Sequence, residues 1–426
     1  MGESLFFTLS IVIFVVVYAM IIWDKFDRMV VALAGAMLMI LFRVLDQKDA
    51  FAAIDFNTIG LLIAMMVIVM IMRLTGIFEY LGIRMVKLSK ADPLRLLILL
   101  SIFTGVFSAF LDNVTTILLI LPIAISVTRK LEISPIPFIL SAIFASNVGG
   151  AATLIGDPPN IMISSQAGLN FMDFIVNVAP LCFPMLIVTS FIFGFMYRKQ
   201  LKTKDSLKKS IMELDEKACI KDPVLLKKSL IVFGLVVIGF LLHGMLGFES
   251  STIAITGAVL LLFISGVKPE KVLLDVEWKT IFFFSGLFIV VGGIVETGVI
   301  SWFAQEVIAL TGGDLFLTAM AILWVAAIAS AFVDNIPFTA TMIPMIIELG
   351  VITGMDVTPL WWALSLGACL GGNGTAIGAS ANVVAIGMAD REGYRISFGH
   401  YFKIAFPVML LTIVISTVYI LLVYII

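Results

Sequence analysis

The chain has 426 residues, of which 61% are hydrophobic and 13% charged, with a mean hydropathy of +1.15. A soluble protein of this length needs far more polar surface, so the composition indicates a membrane protein. The net charge of -2 gives no general attraction to nucleic acid, and the three cysteines and two histidines are too widely spaced to indicate a metal site.

Apolar runs long enough to cross a bilayer follow one another along most of the chain. They lie near residues 5–23, 28–45, 56–75, 134–171, 172–197, 228–246, 250–266, 278–297, 358–391 and 400–426. Two more apolar stretches, 93–130 and 315–350, are interrupted at the middle by an Asp-Asn pair. Each arm of the first is about 15 or 16 residues, short of the roughly 20 that a crossing requires, so we predict two re-entrant hairpins.

The runs at 134–171 and 358–391 are predicted to be broken helices. Pro158 and Pro159 lack backbone donors and must interrupt the first run, inside a stretch rich in glycine. Backbone that leaves a helix at membrane depth is tolerated where it is buried in protein or lines a wet cavity. The freed N–H and C=O groups are then available to a substrate. The alternative is close helix packing through small residues, as in GxxxG motifs.

The positions of the charges predict the orientation of the chain. The polar segment 198–228 holds ten basic and five acidic residues, so the positive-inside rule makes it cytoplasmic. No Lys or Arg lies between 280 and 390, so both ends of the second hairpin are expected outside. A multi-pass inner-membrane protein with external N- and C-termini follows. The predicted organisation is a first repeat at 1–204, a cytoplasmic linker at 205–222 and a second repeat at 223–426.

The two halves align without a gap at an offset of 222 residues. SAFLDN at 108–113 matches SAFVDN at 330–335, and GGAATLIGDPPN at 149–160 matches GGNGTAIGASAN at 371–382. Each unit is predicted to contain five crossings and one hairpin, and because five is odd the second unit should be inverted relative to the first. Inverted repeats suit alternating access to a central site. The plainer alternative is that duplication merely assembled a large membrane protein.

Each hairpin places an aspartate, Asp112 or Asp334, at membrane depth, which costs roughly 2.5–3.5 kcal/mol on insertion scales. We predict that these carboxylates bind a cation or carry a proton, with sodium held by Asp112, Asn113, Asp334 and Asn335. The alternative is that each carboxylate caps the helix that follows it, where the helix dipole favours negative charge.

The Asp-Asn pairs and the helix breaks together supply the candidate ligands for a substrate or ion. They are Asp112, Asn113, Thr115, Thr116, Gly150, Thr153, Gly156, Asp157, Asn160, Asp334, Asn335, Thr339, Gly372, Asn373, Thr375, Gly378, Ser380 and Asn382. Asp157 departs from the repeat because Ala379 stands at the matching position. An extra carboxylate in one half is expected to set coupling charge or proton dependence.

The motifs SAFLDNVTT, GGAATLIGDPPN, SAFVDNIPFTATMIP and GGNGTAIGASANVVAIG resemble those of the P protein (pink-eyed dilution) group, and the resemblance covers nearly the whole chain. That group sits with ArsB-type arsenite permeases and NhaD-type sodium/proton antiporters in the ion transporter superfamily, which also holds sodium-dicarboxylate symporters. The resemblance implies two re-entrant hairpins, two broken helices, a homodimer and an elevator-like movement. The symporters carry Ser-Asn-Thr motifs at the hairpin tips. Here the tips begin with Asp-Asn, which makes proton or sodium coupling more natural than dicarboxylate binding.

The predicted function is secondary active transport of arsenite or another small ion or oxyanion by alternating access, driven by a proton or sodium gradient. Sodium/proton antiport and sodium-coupled dicarboxylate or citrate symport are alternatives, and an ion channel is an alternative of another class. An enzyme is not expected, since an intramembrane protease would need a Gly-x-Gly-Asp sequence that does not occur. No P-loop is present, so ATP hydrolysis would need a separate soluble ATPase partner. The expected partners are a small inorganic or organic ion and the lipid bilayer, with no cofactor beyond H⁺ or Na⁺ as coupling ion.

Overall fold

The computed structural model describes residues 2–23, 25–213 and 215–425. In this part of the chain the regular structure is helical, with short 3-10 turns at 217–219 and 372–374 and a π turn at 421–425. The predicted all-α membrane fold is confirmed. Nine helices of the described residues are long and apolar enough to cross a membrane, judged by length and composition.

The helices follow one another with short connections. Those of residues 2–197 are α1 (Gly2–Trp23), α2 (Arg28–Leu41), α3 (Gln47–Ala52), α4 (Phe56–Leu74), α5 (Ile77–Leu88), α6 (Pro93–Ser108), α7 (Asn113–Lys130), α8 (Ile136–Gly150), α9 (Pro158–Ala167), α10 (Phe171–Asn177) and α11 (Ala179–Tyr197). Those that follow are α12 (Asp205–Met212), α13 (Pro223–Leu246), α14 (Ser250–Ser265), α15 (Pro269–Leu273), α16 (Trp278–Glu296), α17 (Val299–Thr311), α18 (Leu315–Val333), α19 (Asn335–Thr353), α20 (Thr358–Gly371), α21 (Ser380–Arg391) and α22 (Phe398–Ile420).

The arms of the expected hairpins are partly longer than the sequence indicated. Helix α6 has 16 residues, as expected, but α7 has 18, and α18 and α19 have 19 each. The extra length arises at the ends, because α7 begins at Asn113 itself and includes Arg129 and Lys130, and α19 begins at Asn335 and extends to Thr353. Helix length therefore does not separate a re-entrant hairpin from two crossings, and the hairpins stay a prediction.

Aspartate side chains begin many of the helices. A carboxylate oxygen accepts a hydrogen bond from a first-turn N–H at Asp27, Asp55, Asp92, Asp112, Asp222, Asp314 and Asp334. Such a cap satisfies a donor that has no partner within the helix and places negative charge at the positive end of the helix dipole. Asp112 and Asp334 therefore do cap the helices that follow them, whatever else they bind.

Contacts that recur 222 residues apart support the predicted duplication. Helix α6 lies along α8, as α18 lies along α20, and α2 lies along α16, as α14 lies along α4. In the first pair, a Cβ built on Gly149 would lie 2.0 Å from the carbonyl oxygen of Gly105. In the second, a Cβ on Gly371 would lie 2.4 Å from that of Ala327. These glycines allow close packing, as the GxxxG alternative proposed. The inversion of one half relative to the other stays a prediction.

Two sets of helices surround the site. The flanking group consists of α1, α2, α4, α13, α14 and α16, which pack mainly on one another. The core group consists of α6–α9, α11 and α18–α22, and it contains both helix breaks. The two groups touch where α16 meets α19 and where α4 meets α9. The site described next lies at this junction.

Candidate functional site

The two Asp-Asn pairs meet at one buried carboxylate, that of Asp157. The Asn113 Nδ2 donates to Asp157 Oδ1 at 3.2 Å, and the Asn335 Nδ2 donates to the same oxygen at 3.1 Å and to Oδ2 at 3.2 Å. Asp157 has no exposed surface. Since the two asparagines are repeat equivalents, a single carboxylate joins the two halves of the chain.

Asp157 is held at the break between α8 and α9. Its backbone is extended, with φ -143° and ψ 134°, and Pro158 and Pro159 occupy the first positions of α9, where an N–H would have no helical partner. The Asn160 side chain replaces lost helical hydrogen bonds by donating to the carbonyl oxygens of Ala151 and Thr153 at 3.0 and 2.9 Å. The sequence predicted this interruption correctly from the two prolines.

The second break uses the same device. Asn382 Nδ2 donates to the carbonyl oxygens of Gly372 and Thr375 at 2.7 and 2.9 Å. Thr153 and Thr375 in turn donate their hydroxyls to the carbonyl oxygens of Ala109 and Ala331, just before the Asp-Asn pairs. The two threonines thus connect each helix break to the turn before an Asp-Asn pair. Their hydroxyl protons are donated to these carbonyl oxygens.

A cavity of about 420 Å³ lies beside Asp157, and we call it the acidic chamber. Its polar lining comes from Asp112, Asn113, Asp157, Glu277, Lys279, Thr280, Asn335 and Ser380. Three carboxylates therefore face this space with one ammonium, and the Lys279 Nζ is itself 2.8 Å from Asp27 Oδ2. The carboxylates do not converge at metal-binding distance, since among the described residues no three His, Cys, Asp or Glu side chains do.

A second cavity, of about 490 Å³, adjoins the acidic chamber, and we call it the basic vestibule. Lys25, Asp27, Arg28 and Lys279 line it, and it shares Lys279, Thr280, Ile336 and Ser380 with the chamber. Its lining carries three cationic side chains and one acid. Two of these cations are paired, Lys279 with Asp27 and Arg28 with Asp334, and the vestibule leads to a pocket in which acidic groups outnumber basic ones.

Asp334 differs from its repeat equivalent in backbone and in partners. Its φ and ψ are 81° and 141°, a region that costs a residue other than glycine about 1–3 kcal/mol. Asp112 has φ -61° and ψ 154°. Asp334 Oδ2 accepts from Arg28 Nη1 at 2.8 Å and from Ser380 Oγ at 2.9 Å, while Asp112 Oδ1 accepts from the Thr115 N–H at 2.9 Å.

A chain of amides lies behind the acidic chamber. Asn147 Oδ1 accepts from Asn113 Nδ2 at 3.2 Å, and its Nδ2 donates to Asn373 Oδ1 and Asn382 Oδ1 at 3.0 and 2.9 Å. Ser365 Oγ donates to Asn160 Oδ1 at 2.6 Å. Hydrogen bonds thus connect the first Asp-Asn pair to Asp157 at the first break and, through Asn147, to Asn373 and Asn382 at the second.

The candidate ligands therefore fall into groups. Those that line the acidic chamber are Asp112, Asn113, Asp157, Asn335 and Ser380. Those that stabilise the breaks through backbone or amide contacts are Gly150, Thr153, Gly156, Asn160, Gly372, Asn373, Thr375, Gly378 and Asn382. Thr339 donates its hydroxyl to the Asn335 carbonyl oxygen at 2.8 Å, and the hydroxyls of Thr115 and Thr116 are buried without a hydrogen-bond partner among the described residues. A binding role for any of these residues stays a prediction.

Several residues that the structure places at the site were not predicted from the sequence, among them Arg28, Asn147, Glu277, Lys279 and Thr280. A signal existed for Glu277. It precedes Thr280 as Asp55 precedes Thr58 at the 222-residue offset, and in both pairs the threonine hydroxyl donates to the carboxylate, at 3.2 and 2.7 Å. Asn147 lacked a repeat signal because Cys369 matches it.

Comparison with known proteins places the chain among membrane transporters. A family model described as Citrate transporter matches residues 18–367. An uncharacterised transporter of Mycobacterium tuberculosis is 42% identical over 417 residues, which cover 96% of this chain and 97% of that protein. A 46 kDa membrane protein of Mycobacterium leprae is 40% identical over 425 residues, which cover 98% of this chain and 99% of that one.

More distant similarities extend to the human P protein and to one solved transporter. The P protein is 31% identical over 503 residues, in a match that covers 98% of this chain and 60% of the P protein. The fold of the YdaH transporter of Alcanivorax borkumensis matches with a TM-score of 0.53 at 14% identity, over 90% of this chain and 87% of that one. The predicted relation to the P protein is confirmed, and relatives named as transporters support a non-enzymatic function. The likeness to arsenite and NhaD-type permeases stays a prediction.

Proposed function

The chain belongs to the citrate transporter family, and on that premise we propose that it is a secondary active transporter that couples a small anion or oxyanion to a proton or sodium gradient. The observation that supports this most directly is the meeting of both Asp-Asn pairs at Asp157, beside a chamber with three carboxylates. A site shared by two halves can be exposed to either side when the halves move.

The charges of the two cavities explain why transport would be coupled. The acidic chamber repels an anion until a proton or a sodium ion has neutralised part of its charge. The basic vestibule brings Lys25, Arg28 and Lys279 to the entrance through which the anion would pass. Binding of the cation first and of the anion second follows from this arrangement. Asp112, Asp157 and Glu277 are the carboxylates that we assign to the coupling cation, with oxygens of Asn113 and Asn335 beside them.

The state in the structure is proposed to be open to the cytoplasm. The basic vestibule lies at Lys25 and Asp27, just after α1, and at Lys279 in the first turn of α16, and the predicted topology puts both of these helix ends on the cytoplasmic side. We propose that the core group moves against the flanking group to open the chamber to the other side. A homodimer formed through the flanking group, as the resemblance implies, is part of this proposal.

Flux in proteoliposomes tests the proposal. Sodium and proton gradients would be imposed separately, with labelled citrate, a dicarboxylate or arsenite supplied outside. We expect one gradient to drive uptake of at least one of these substrates, and no accumulation without a gradient. Movement of the anion that ignores both gradients would instead identify a channel.

Sodium/proton antiport is the second candidate, and the acidic lining of the chamber favours it. An antiporter needs carboxylates that exchange protons for sodium and needs no anion. The same vesicles discriminate between the two functions. Sodium efflux driven by an inward proton gradient, with no anion present, would support the antiporter.

A further inference from the structure

Asp334 has a positively charged partner that comes from the other group of helices. Arg28 Nη1 lies 2.8 Å from Asp334 Oδ2, and the two side chains are 20% and 2% exposed. Ser380 Oγ donates to the same oxygen, and the Ile336 N–H donates to Oδ1 at 3.2 Å. The protein itself therefore supplies both the hydrogen bonds and the charge that this buried carboxylate requires.

Asp112 has no equivalent partner. Among the described residues it forms no ion pair, and its carboxylate lines the acidic chamber with those of Asp157 and Glu277. The sequences of the two repeats account for this difference. The positions that match Arg28 and Ser380 at the 222-residue offset are Ser250 and Pro158, and neither offers a positive charge.

The Arg28–Asp334 pair also links the flanking group to the core group. Helix α2 packs closely on its flanking neighbours, since a Cβ on Gly35 would lie 2.4 Å from Val17 Cγ2 and one on Gly286 would lie 2.7 Å from the carbonyl carbon of Ala32. Asp334 belongs to the core group. Within that group the Ser330 Oγ donates to the Ala368 carbonyl oxygen at 2.6 Å, which connects α18 to α20. If the core group moves along α2, either this ion pair breaks or the Arg28 side chain moves with Asp334.

The backbone of Asp334 fits the same account. An aspartate at φ 81° is disfavoured, and such a conformation persists where surrounding contacts hold it. The contacts from Arg28, Ser380 and Ile336 do so on three sides. Asp112, whose carboxylate accepts from the Thr115 N–H, lies in the ordinary extended region.

We propose that Arg28 is a built-in counter-cation for Asp334, so that the coupling cation binds beside Asp112 and Asp157 and not at Asp334. The proposal rests on the cation-coupled transport proposed above and deepens it, since it makes the two Asp-Asn pairs of the repeat unequal. The Asp-Asn pair of one repeat binds the mobile cation. At the pair of the other repeat, the Arg28 guanidinium takes the place of that cation beside Asp334. Arg28 is thus a positioning residue that sets the number of coupling ions.

Substitutions of the pair test this in proteoliposomes, with gradient-driven uptake as the readout. Arg28→Gln and Asp334→Asn should each lower uptake at least about tenfold, because Arg28→Gln removes the charge that offsets the buried Asp334 carboxylate, and Asp334→Asn removes the acceptor that Arg28 contacts in the core group. The double substitution should recover most of the loss, with the cation dependence of the unchanged protein. Arg28→Lys, which keeps the charge, should retain more uptake than Arg28→Gln.

A second readout separates this role from a merely structural one. With Arg28 replaced by glutamine, Asp334 is free to take a mobile cation, so raised sodium or lowered pH should restore uptake with a steeper concentration dependence. The matched control is Asp112→Asn, whose loss should not be recovered by adding Arg28→Gln. If the Arg28/Asp334 double variant stays as inactive as Asp334→Asn, then Asp334 itself binds the coupling cation and the proposal is wrong.

Thermal unfolding in detergent keeps the test independent of transport. Each single substitution should lower the melting temperature. The double variant should melt at a higher temperature than the less stable of the two single variants. Additive losses would contradict the pairing. Wild-type uptake in Asp112→Asn would overturn the proposed function and leave this stability result standing, so the two failures are distinguishable.

Discussion

Single side chains at the helix breaks have structural roles that the repeat alone did not reveal. Thr153 and Thr375 are predicted substrate ligands, and both hydroxyls donate to carbonyl oxygens near the ends of α6 and α18. Both residues are fully buried. A buried carbonyl that loses its donor costs more than the hydrogen bond contributed, because water cannot replace the donor.

We therefore predict that Thr153→Val and Thr375→Val lower stability. Valine keeps the shape of threonine and removes the donor, so each should reduce the free energy of unfolding by about 1–3 kcal/mol. The melting temperature in detergent measures this. Thr256→Val is the matched control, because the Thr256 hydroxyl is exposed and bonds within its own helix, to the Thr252 carbonyl oxygen. Equal melting temperatures for all three variants would contradict the assignment.

At the scale of helices, close approach of α6 to α8 positions the first break. Gly149 lies against the backbone of Gly105, so a methyl group there has no room. Gly149→Ala should force the helices apart and lower stability by about 1–3 kcal/mol or more. Gly387→Ala on α21 is the control, since no atom lies within 4 Å of the position that its methyl group would take. Folded yield and melting temperature report both, and an unchanged Gly149→Ala protein would show that the contact is not required.

The sequence predicted the local features of these elements and missed the long-range ones. Two prolines located the first break, and the Asp-Asn pairs located the starts of α7 and α19, because both signals act on their own backbone. Arg28 reaches Asp334 across 306 residues, and no periodicity encodes such a meeting. Hairpin arms were underestimated because the polar residues Asn113, Arg129 and Lys130 are part of α7 and not of its flanking turns.

At the scale of the whole molecule, contacts between distant loops agree with the predicted topology. Arg129, in the last turn of α7, forms an ion pair with Glu392, and the Thr203 hydroxyl donates to the Leu131 carbonyl oxygen. All of these lie in segments expected on the cytoplasmic side. The linker is docked there as well, since Glu216 pairs with Lys87 and with Arg84.

The orientation is testable with a natural reporter, Cys219 in the linker. Cys182 and Cys369 are buried, whereas Cys219 is partly exposed. A membrane-impermeant maleimide should label Cys219 in inside-out vesicles and not in intact cells. Burial, with the negative charge of Glu79 next, raises the pKa of the Cys219 thiol, so labelling should be faster at alkaline pH. Labelling from outside would overturn the topology.

The same reporter measures linker docking. The hydrogen bond from Lys87 lowers the pKa of Glu216 below its ordinary value. The ion pair therefore contributes fully to linker docking at pH values above that ordinary pKa, and the contribution is lost as the pH falls through the lowered pKa. Glu216→Gln removes the charge at neutral pH and should raise the labelling rate of Cys219. Glu213→Gln, an exposed change in the same linker, should leave the rate unchanged. A rate that Glu216→Gln does not alter would show that the pair does not hold the linker.

The proposed transport depends on the Asp157 carboxylate, where the two halves of the molecule meet. The most direct test is gradient-driven uptake by Asp157→Asn beside Asp275→Asn, an exposed aspartate next to the chamber-lining segment. We predict that Asp157→Asn lowers uptake at least about tenfold, because a charged hydrogen-bond acceptor is removed from the shared site. Asp275→Asn should transport like the unchanged protein. Equal uptake by the two folded variants would contradict the claim that the coupling cation binds where the two Asp-Asn pairs meet.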